Sequence, residues 1–302
     1  MSCKVLAIVG PTASGKSAMA VKAARELNGE IINGDSVQVY KGLDIGSAKV
    51  TEEEMEGVVH HLLSVRDIEE GYSVKDFQDQ ARKKIEEISK KGKLPIICGG
   101  TGLYIKALLY DYTFAEGSGN EETYEGVSSH ELYERLKTID PASCEKIHPN
   151  NRKRVIRALQ LAESGTKKSE QEAGQKHEPV YDVFICGLTM PREMLKDRID
   201  QRVDMMFDQG LLEEVTAINE KYDWSLQALQ GIGYKEFKEY FSGEETLEEV
   251  KDKIKTHTRQ FAKRQYTWWN HQLPVRWYDI SLEKAGDRAL DDMKAWLNGQ
   301  TV

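Results

Sequence analysis

The sequence predicts an α/β fold, a parallel sheet flanked by helices, with a mostly helical domain inserted into it. Three observations carry this. Short apolar, β-branched runs that stop at glycine, "KVLAIVG", "EIINGDS" and "KLPIICGG", alternate with segments of helical spacing, the pattern of β-α-β units. The first strand-to-helix junction is a glycine-rich loop, Gly10 to Ser17. Between the third and fourth runs lies more chain than a crossover needs, which calls for an insertion.

Taken in order, Val5 to Val9 is too short for a signal-peptide core and leads straight into the loop, so it reads as a buried strand. "KSAMAVKAARELNG" has helical spacing, with Gly29 placed to stop it. The second strand ends at Gly34-Asp35, and an amphipathic, charge-rich helix from Val74 to Lys91 precedes the third. "YDVFICGLTM" is a fourth strand and "LPVRWYDI" a fifth. Between these, Leu195, Ile199, Val203 and Met206 form one apolar helix stripe, and further helices follow to about Trp269. The expected organisation is a core domain, 1–111 and 182–302, with a helical lid over 203–257, and a helical insertion domain, 112–181, that includes the polar stretch after Phe114.

Composition excludes several classes. With 39% hydrophobic and 30% charged residues the chain is of ordinary soluble type, and no apolar stretch approaches the roughly 20 residues a membrane helix needs. The formal charge of −8 speaks against a uniformly basic coat for nucleic acid, though not against a local basic patch. Cys3, Cys98, Cys144 and Cys186 show no close pairing, so they read as reduced thiols in a cytoplasmic protein.

The segment Gly10, Pro11, Thr12, Ala13, Ser14, Gly15, Lys16, Ser17 matches the P-loop spacing in full, with a strand before it and a helix after. Glycines let several N–H groups point inward, the helix N-terminus adds positive potential, Lys16 supplies a full charge, and Ser17 can ligate Mg²⁺. The core therefore reads as P-loop NTPase-like. Asp35, at the carboxyl end of the second strand, is either a reacting carboxylate in the ligand crevice or a turn-capping aspartate. Thr101 in "GGTGLY" lies near the same crevice or simply in a tight turn. Arg198 and Arg202, four apart, suit a diphosphate clamp or surface ion pairs.

Two basic clusters follow: Arg152, Lys153, Arg154 and Arg157, then Lys251, Lys255, Arg259 and Lys263 at every fourth residue, ending near Tyr266, Trp268 and Trp269. Cations beside aromatics suit RNA; a solvated helix with core tryptophans is the alternative. His60-His61 reads as a packing or turn contact, with no third ligand at metal spacing.

In order and spacing, "GPTASGKS", "DSVQVYKGLDIGSAK", "HHLL", "GGTGLYIKALL", "HPNNRKRVIRAL", "DRIDQRVDMM", "GIGYKE" and "TRQFAKRQYTWW" together resemble the bacterial tRNA dimethylallyltransferase (tRNA isopentenyltransferase) family. The resemblance implies transfer of the dimethylallyl group of dimethylallyl diphosphate to N6 of the adenosine 3′ of the anticodon in tRNA, with Mg²⁺ and release of diphosphate. It implies that Asp35 is the general base, that Thr101 helps hold the adenosine or donor, and that Arg202 stabilises the diphosphate. Segments matching tRNA contacts are Asp35, Ser36, Val37 and Gln38; Lys153, Arg154, Val155, Ile156 and Arg157; and Gln230, Gly231, Ile232, Gly233, Tyr234 and Lys235. Arg259 and Lys263 join them from the basic stripe, with the anticodon stem-loop as partner of a monomer. Val37 stands where methionine is frequent and Ser47 where threonine is, and no Cys/His zinc-finger extension follows Trp269. The competing readings are an adenylate isopentenyltransferase acting on free nucleotide, a P-loop nucleotide kinase, and an RNA-binding protein with a vestigial loop.

Overall fold

The computed structural model describes residues 3–114, 124–175 and 177–301. The chain forms two compact units. One takes in the chain up to Leu109 and from Pro179 onward; the other is Tyr110–Glu178.

The first unit begins β1 (Lys4–Val9), α1 (Lys16–Glu26), β2 (Gly29–Asn33), α2 (Glu52–Met55), β3 (His60–His61), α3 (Val74–Lys90), β4 (Leu94–Gly99) and α4 (Gly102–Leu109). The second unit contributes α5 (Ser129–Ile139), α6 (Pro141–Cys144), α7 (Arg152–Glu163) and α8 (Lys168–Ala173). The chain returns with β5 (Asp182–Thr189), α9 (Arg192–Asp208), α10 (Leu211–Asn219), α11 (Lys238–Phe241), α12 (Leu247–Gln272), β6 (Arg276–Asp279) and α13 (Ala285–Leu297).

All six strands form one parallel sheet in the order β3-β2-β4-β1-β5-β6. The central strands are apolar throughout because helices cover both faces: Val5 to Val9 are fully buried. On one face Leu6, Ile8 and Ile96 pack with Ala20 and Ala24 of α1 and with Leu290, Met293 and Trp296 of α13. Each large side chain so buried contributes about 1.5–3 kcal/mol. Cys98 and Cys186 belong to this cluster, and all four cysteines are free thiols. The insertion has a core of its own, in which Leu132, Leu136, Val155, Ile156 and Leu159 are buried. Among the described residues no helix is long and apolar enough to cross a membrane.

The sheet corrects one expectation. His60-His61 is a two-residue edge strand, paired Ile31 to His60 and Ile32 to His61. A strand this short has no periodicity to read, and tertiary pairing alone creates it. The polar stretch after Phe114 lies largely outside the described residues, at 115–123.

The same edge carries a buried carboxylate. Glu30, its side chain only 3% exposed, takes His61 Nε2 at 2.8 Å, Lys93 Nζ at 2.9 Å and Lys91 Nζ at 3.1 Å. Burial pushes its pKa up, but hydrogen bonds from Lys93, His61 and Lys91 outweigh that and hold it at about 2. A carboxyl depressed from its ordinary value stabilises the fold fully above the unfolded pKa and loses that contribution as pH falls through the folded one. Glu30→Gln is therefore expected to lower stability at neutral pH by about 1–2 kcal/mol, less than the full shift implies because both lysines reach solvent. It is also expected to flatten the acid limb between about pH 4.5 and 2. Thermal unfolding across that range checks it, and superimposable wild-type and variant curves would refute it.

Candidate active site

Register brings the site together. Val9 pairs with Gly99 on one side and Gly187 on the other, and Asn33 pairs with Cys98, so β1, β2, β4 and β5 end side by side. The segments after β1, β2 and β4 meet at this carboxyl edge, where open parallel sheets bind ligands.

After β1 the chain turns back on itself. Gly10 has φ +147°, and a Cβ there would fall 2.6 Å from the Leu188 carbonyl oxygen of β5. Gly15, at φ +82°, caps α1. That cap offers no side-chain acceptor and the first turn holds no acid, so its amides and positive potential are left for a ligand. Ser14 Oγ is buried inside the loop with no hydrogen-bond partner among the described residues, and Lys16 Nζ donates to the Pro11 carbonyl at 3.2 Å. Burial is the largest influence lowering the Lys16 pKa; Cys98 and Asp35 raise it and Arg202 lowers it further.

After β2, Asn33 shapes the turn: its Oδ1 accepts from Asp35 N–H, and its Nδ2 donates to the Asp35 and Leu62 carbonyls. Asp35 Oδ1 accepts from Val37 N–H at 2.8 Å and Gln38 N–H at 3.3 Å. Oδ2 has no hydrogen bond among the described residues, and Asp35 lines the cavity. The two readings of this aspartate thus fall on its two oxygens, one capping the turn and one available. Thr101, opening the segment after β4, accepts from Ser36 N–H at 3.1 Å and donates to Ser36 Oγ at 3.3 Å. Its hydroxyl braces the Asp35 turn.

Helices close the rest of a cavity of about 370 Å³. From α9 come Ile199, Arg202, Val203 and Met206; from α12 come Ile254, Thr258, Phe261, Arg264 and Gln265. Burial lowers the Arg202 pKa, and neither Lys16 nor Arg202 has an ion-pair partner among the described residues. Cys98 also lines the wall, its thiol pushed up to about 11 by burial.

Of the sequence-predicted residues, Thr12, Lys16, Ser17, Asp35, Ser36, Val37, Gln38, Thr101 and Arg202 all line this cavity, as do Gln230, Gly231, Ile232, Gly233 and Lys235. Gly10, Pro11, Ala13, Ser14 and Gly15 frame it. Arg198, one turn before Arg202, is exposed and outside the lining, so α9 aims one arginine inward and not two.

Several expectations need correction. Tyr234 is fully buried, its hydroxyl donating to Glu214 at 2.8 Å and accepting from Ser47 N–H at 3.1 Å. Glu214 also takes the amides of Asp44, Ile45 and Gly46, so Tyr234 anchors a loop instead of facing RNA. The basic stripe is largely spent on α9: Arg259 Nε donates to Asp200 at 2.7 Å, and Lys251 and Lys255 both pair with Asp204. Lys263 stays exposed. Trp269 is fully buried and Trp268 packs on Gly102. In the insertion, Val155 and Ile156 are core, and Arg152 donates to the Val127 and Tyr124 carbonyls. Lys153, Arg154 and Arg157 remain on the exposed face of α7.

Nothing in the sequence singles out Gln265, Phe261, Arg264 or Glu214. The first three sit in "TRQFAKRQ" at helical spacing with Thr258, a face that composition cannot tell from core.

Comparison with known proteins places the chain in a family. A family model described as IPP transferase matches residues 38–272. The chain is 49% identical over 304 residues to the tRNA dimethylallyltransferase of Anoxybacillus flavithermus, covering 99% of this chain and 98% of that protein. Its likeness to the Bacillus anthracis tRNA dimethylallyltransferase is 48% over 286 residues, covering 92% and 91%. Among solved structures, a eukaryotic dimethylallyltransferase acting on tRNA superimposes with TM-score 0.89 at 31% identity, covering 100% of this chain and 81% of that one. The Staphylococcus epidermidis tRNA isopentenylpyrophosphate transferase gives 0.74 at 39% identity, covering 99% of both chains.

Two half-buried cations, Lys16 and Arg202, with no ion-pair partner among the described residues predict an anion. Inorganic diphosphate is expected to raise the melting temperature, and Lys16→Met or Arg202→Met to weaken its apparent affinity tenfold or more, since a charge-assisted hydrogen bond contributes about 1.5–3 kcal/mol. Thermal-shift titration measures this; variants that respond like wild type would place the anion elsewhere.

Proposed function

The chain belongs to the IPP transferase family, and from that premise we propose that it transfers a dimethylallyl group from dimethylallyl diphosphate to N6 of the adenosine 3′ of the anticodon in tRNA, releasing diphosphate. The observation that carries this reading is the meeting, in one cavity, of two cations, Lys16 and Arg202, with a carboxylate oxygen of Asp35; among the described residues the cations have no ion-pair partner and that oxygen has no hydrogen bond.

The division of labour follows from the chemistry. Lys16, the α1 amides and Arg202 receive the diphosphate, and because its charge grows as the C–O bond breaks, they stabilise the transition state more than the ground state. Ile199, Val203, Met206 and Phe261 provide an apolar wall for the five-carbon chain and keep water from the carbon that reacts. The adenosine nitrogen forms the new bond to C1, the C1–O bond breaks towards the diphosphate, and the N6 proton passes to Asp35 Oδ2. The Val37 and Gln38 amides hold that carboxylate by its other oxygen, and the Thr101 hydroxyl braces the same turn through Ser36.

Mg²⁺ fits the residues present. Ser17 lies in the first turn of α1 on the cavity wall, and no cluster of three acidic, histidine or cysteine ligands exists among the described residues. An ion there would rest on the Ser17 hydroxyl, diphosphate oxygens and water, the coordination Mg²⁺ prefers, and would supply charge neutralisation to the leaving group. The protein acts in this reading as a cytoplasmic monomer, with Lys153, Arg154 and Arg157 of the insertion as cations for tRNA phosphates.

The test is incubation with radiolabelled dimethylallyl diphosphate, Mg²⁺ and unmodified total tRNA, followed by nucleoside analysis. Label on an adenosine next to the anticodon supports the reading; label on AMP alone, or ATP consumption without transfer, overturns it. In the same assay Asp35→Asn is expected to lower turnover about 10²–10⁴-fold, the usual contribution of a positioned base, with tRNA affinity kept; a variant within threefold of wild type would remove Asp35 from that role. Replacing Lys153 and Arg154 by alanine is expected to flatten the salt dependence of tRNA binding by about 0.7–0.9 in log–log slope per lost phosphate contact. Arg259→Ala, committed to Asp200, is expected to move the melting temperature and leave that slope in place. Binding isotherms from low to moderate salt discriminate the two, and a reversed pattern would return the RNA contact to α12.

A further inference from the structure

Gln265 lies on α12, far in sequence from either loop of the site, yet its amide touches both. Its Oε1 accepts from Thr12 N–H at 2.8 Å and its Nε2 donates to the Gly100 carbonyl at 3.0 Å. The residue is only 6% exposed. Beyond the end of the β1–β4 ladder, at Val9 and Gly99, this side chain ties the segment after β1 to the segment after β4. We propose that Gln265 is a positioning residue for the transfer, holding the diphosphate loop and the Asp35 turn at the separation that in-line attack requires. The inference rests on the proposed function above.

The path is short. Thr12 belongs to the loop that receives the diphosphate. Gly100 precedes Thr101, whose hydroxyl brackets the amide and hydroxyl of Ser36, and Ser36 follows Asp35. One buried amide therefore spans from the group that holds the donor to the group that takes the proton. Both its polar atoms are committed to backbone, so it acts through its neighbours and not on substrate. It also occupies the Thr12 N–H, one of the amides that a P-loop would otherwise turn towards phosphate.

Glutamine suits the position because the site needs a donor and an acceptor at once without charge. Glutamate would set a carboxylate against the Gly100 carbonyl and beside the diphosphate. An aliphatic side chain would leave the Thr12 amide and the Gly100 carbonyl unpaired where water is scarce. Gly100 is the complement: a Cβ there would stand 2.3 Å from Gln265 Nε2, and apart from Gln265 its nearest neighbour would be the Gly10 carbonyl oxygen at 3.8 Å. A methyl at Gly100 thus displaces the amide, and does so only while the amide is present.

That dependence gives the experiment. Gln265→Ala, Gly100→Ala and the double variant are purified and compared with wild type for prenyl transfer to tRNA, donor KM, inorganic diphosphate affinity and melting temperature. Misalignment of the two halves is expected to lower kcat about 10- to 100-fold in each single variant, with donor KM and diphosphate affinity within about threefold. The double variant is expected to match Gln265→Ala, because the methyl is then left only an ordinary contact, with the Gly10 carbonyl oxygen at 3.8 Å. Losses that multiply in the double variant, or a kcat within twofold of wild type in both single variants, would overturn the proposal. So would equal losses in kcat and diphosphate affinity, which would make Gln265 a plain support of the anion loop. Should Gln265→Ala fail to fold, Gly100→Ala alone decides by the same kcat-against-KM split. A wild-type protein that transfers no prenyl group would refute the function and is told apart from all of these outcomes.

Discussion

The in-register parallel pairing of β1 with β4 and β5 is the constraint on which the rest depends. Because Val9 pairs with Gly99 and Gly187, and Asn33 with Cys98, the segments after β1, β2 and β4 leave the sheet side by side, and the space between them becomes the site. The ends of these strands cannot carry large side chains: a Cβ at Gly10 would meet the β5 backbone, and one at Gly99 would lie 2.3 Å from Gly34. Close backbone approach is what lets an anion-binding loop, a carboxylate turn and a hydroxyl from three different crossovers share a cavity of about 370 Å³.

Charge is distributed with the same economy. Away from the cavity, cations meet carboxylates: Lys251 and Lys255 share Asp204, Arg259 grips Asp200, and Lys91 and Lys93 converge on Glu30. Inside it, Lys16 and Arg202 are held without such partners and at a cost, since burial lowers the pKa of both. A net charge of −8 makes that arrangement informative, because acidic side chains are plentiful and yet none among the described residues forms an ion pair with these two cations. The exposed cations of α7 follow the opposite logic, turned to solvent while Val155 and Ile156 on the other side of the same helix fill the core of the insertion. One stretch read from sequence as a single contact segment thus divides by face.

The polar framework behind the cavity is as specific as its lining. Glu214 receives three successive backbone amides, from Asp44 to Gly46, and the Tyr234 hydroxyl, while Gln38 Nε2 bonds the Ser47 and Ala48 carbonyls from the cavity side. The loop between Asp35 and α2 is therefore pinned from two directions. Loops held by this many hydrogen bonds are poor candidates for large motion.

What the sequence determined alone was what local chemistry encodes. The P-loop, the strands ending in glycine and the apolar stripe of α9 were legible because backbone conformation and periodicity are properties of a few consecutive residues, and the family motifs followed from their order. Facing and partnership were decided by tertiary structure. Arg259 reads as a free cation until α9 brings Asp200, 59 residues away, against it. Tyr234 reads as a contact residue until Glu214 and Ser47 enclose it, and His60-His61 becomes a strand only because Ile31 and Ile32 offer an edge. Gln265 was invisible for the same reason. Nothing near it in the chain calls for a buried donor and acceptor, and the two backbone groups that do are brought to it by the closing of the sheet and the packing of α12 across its end.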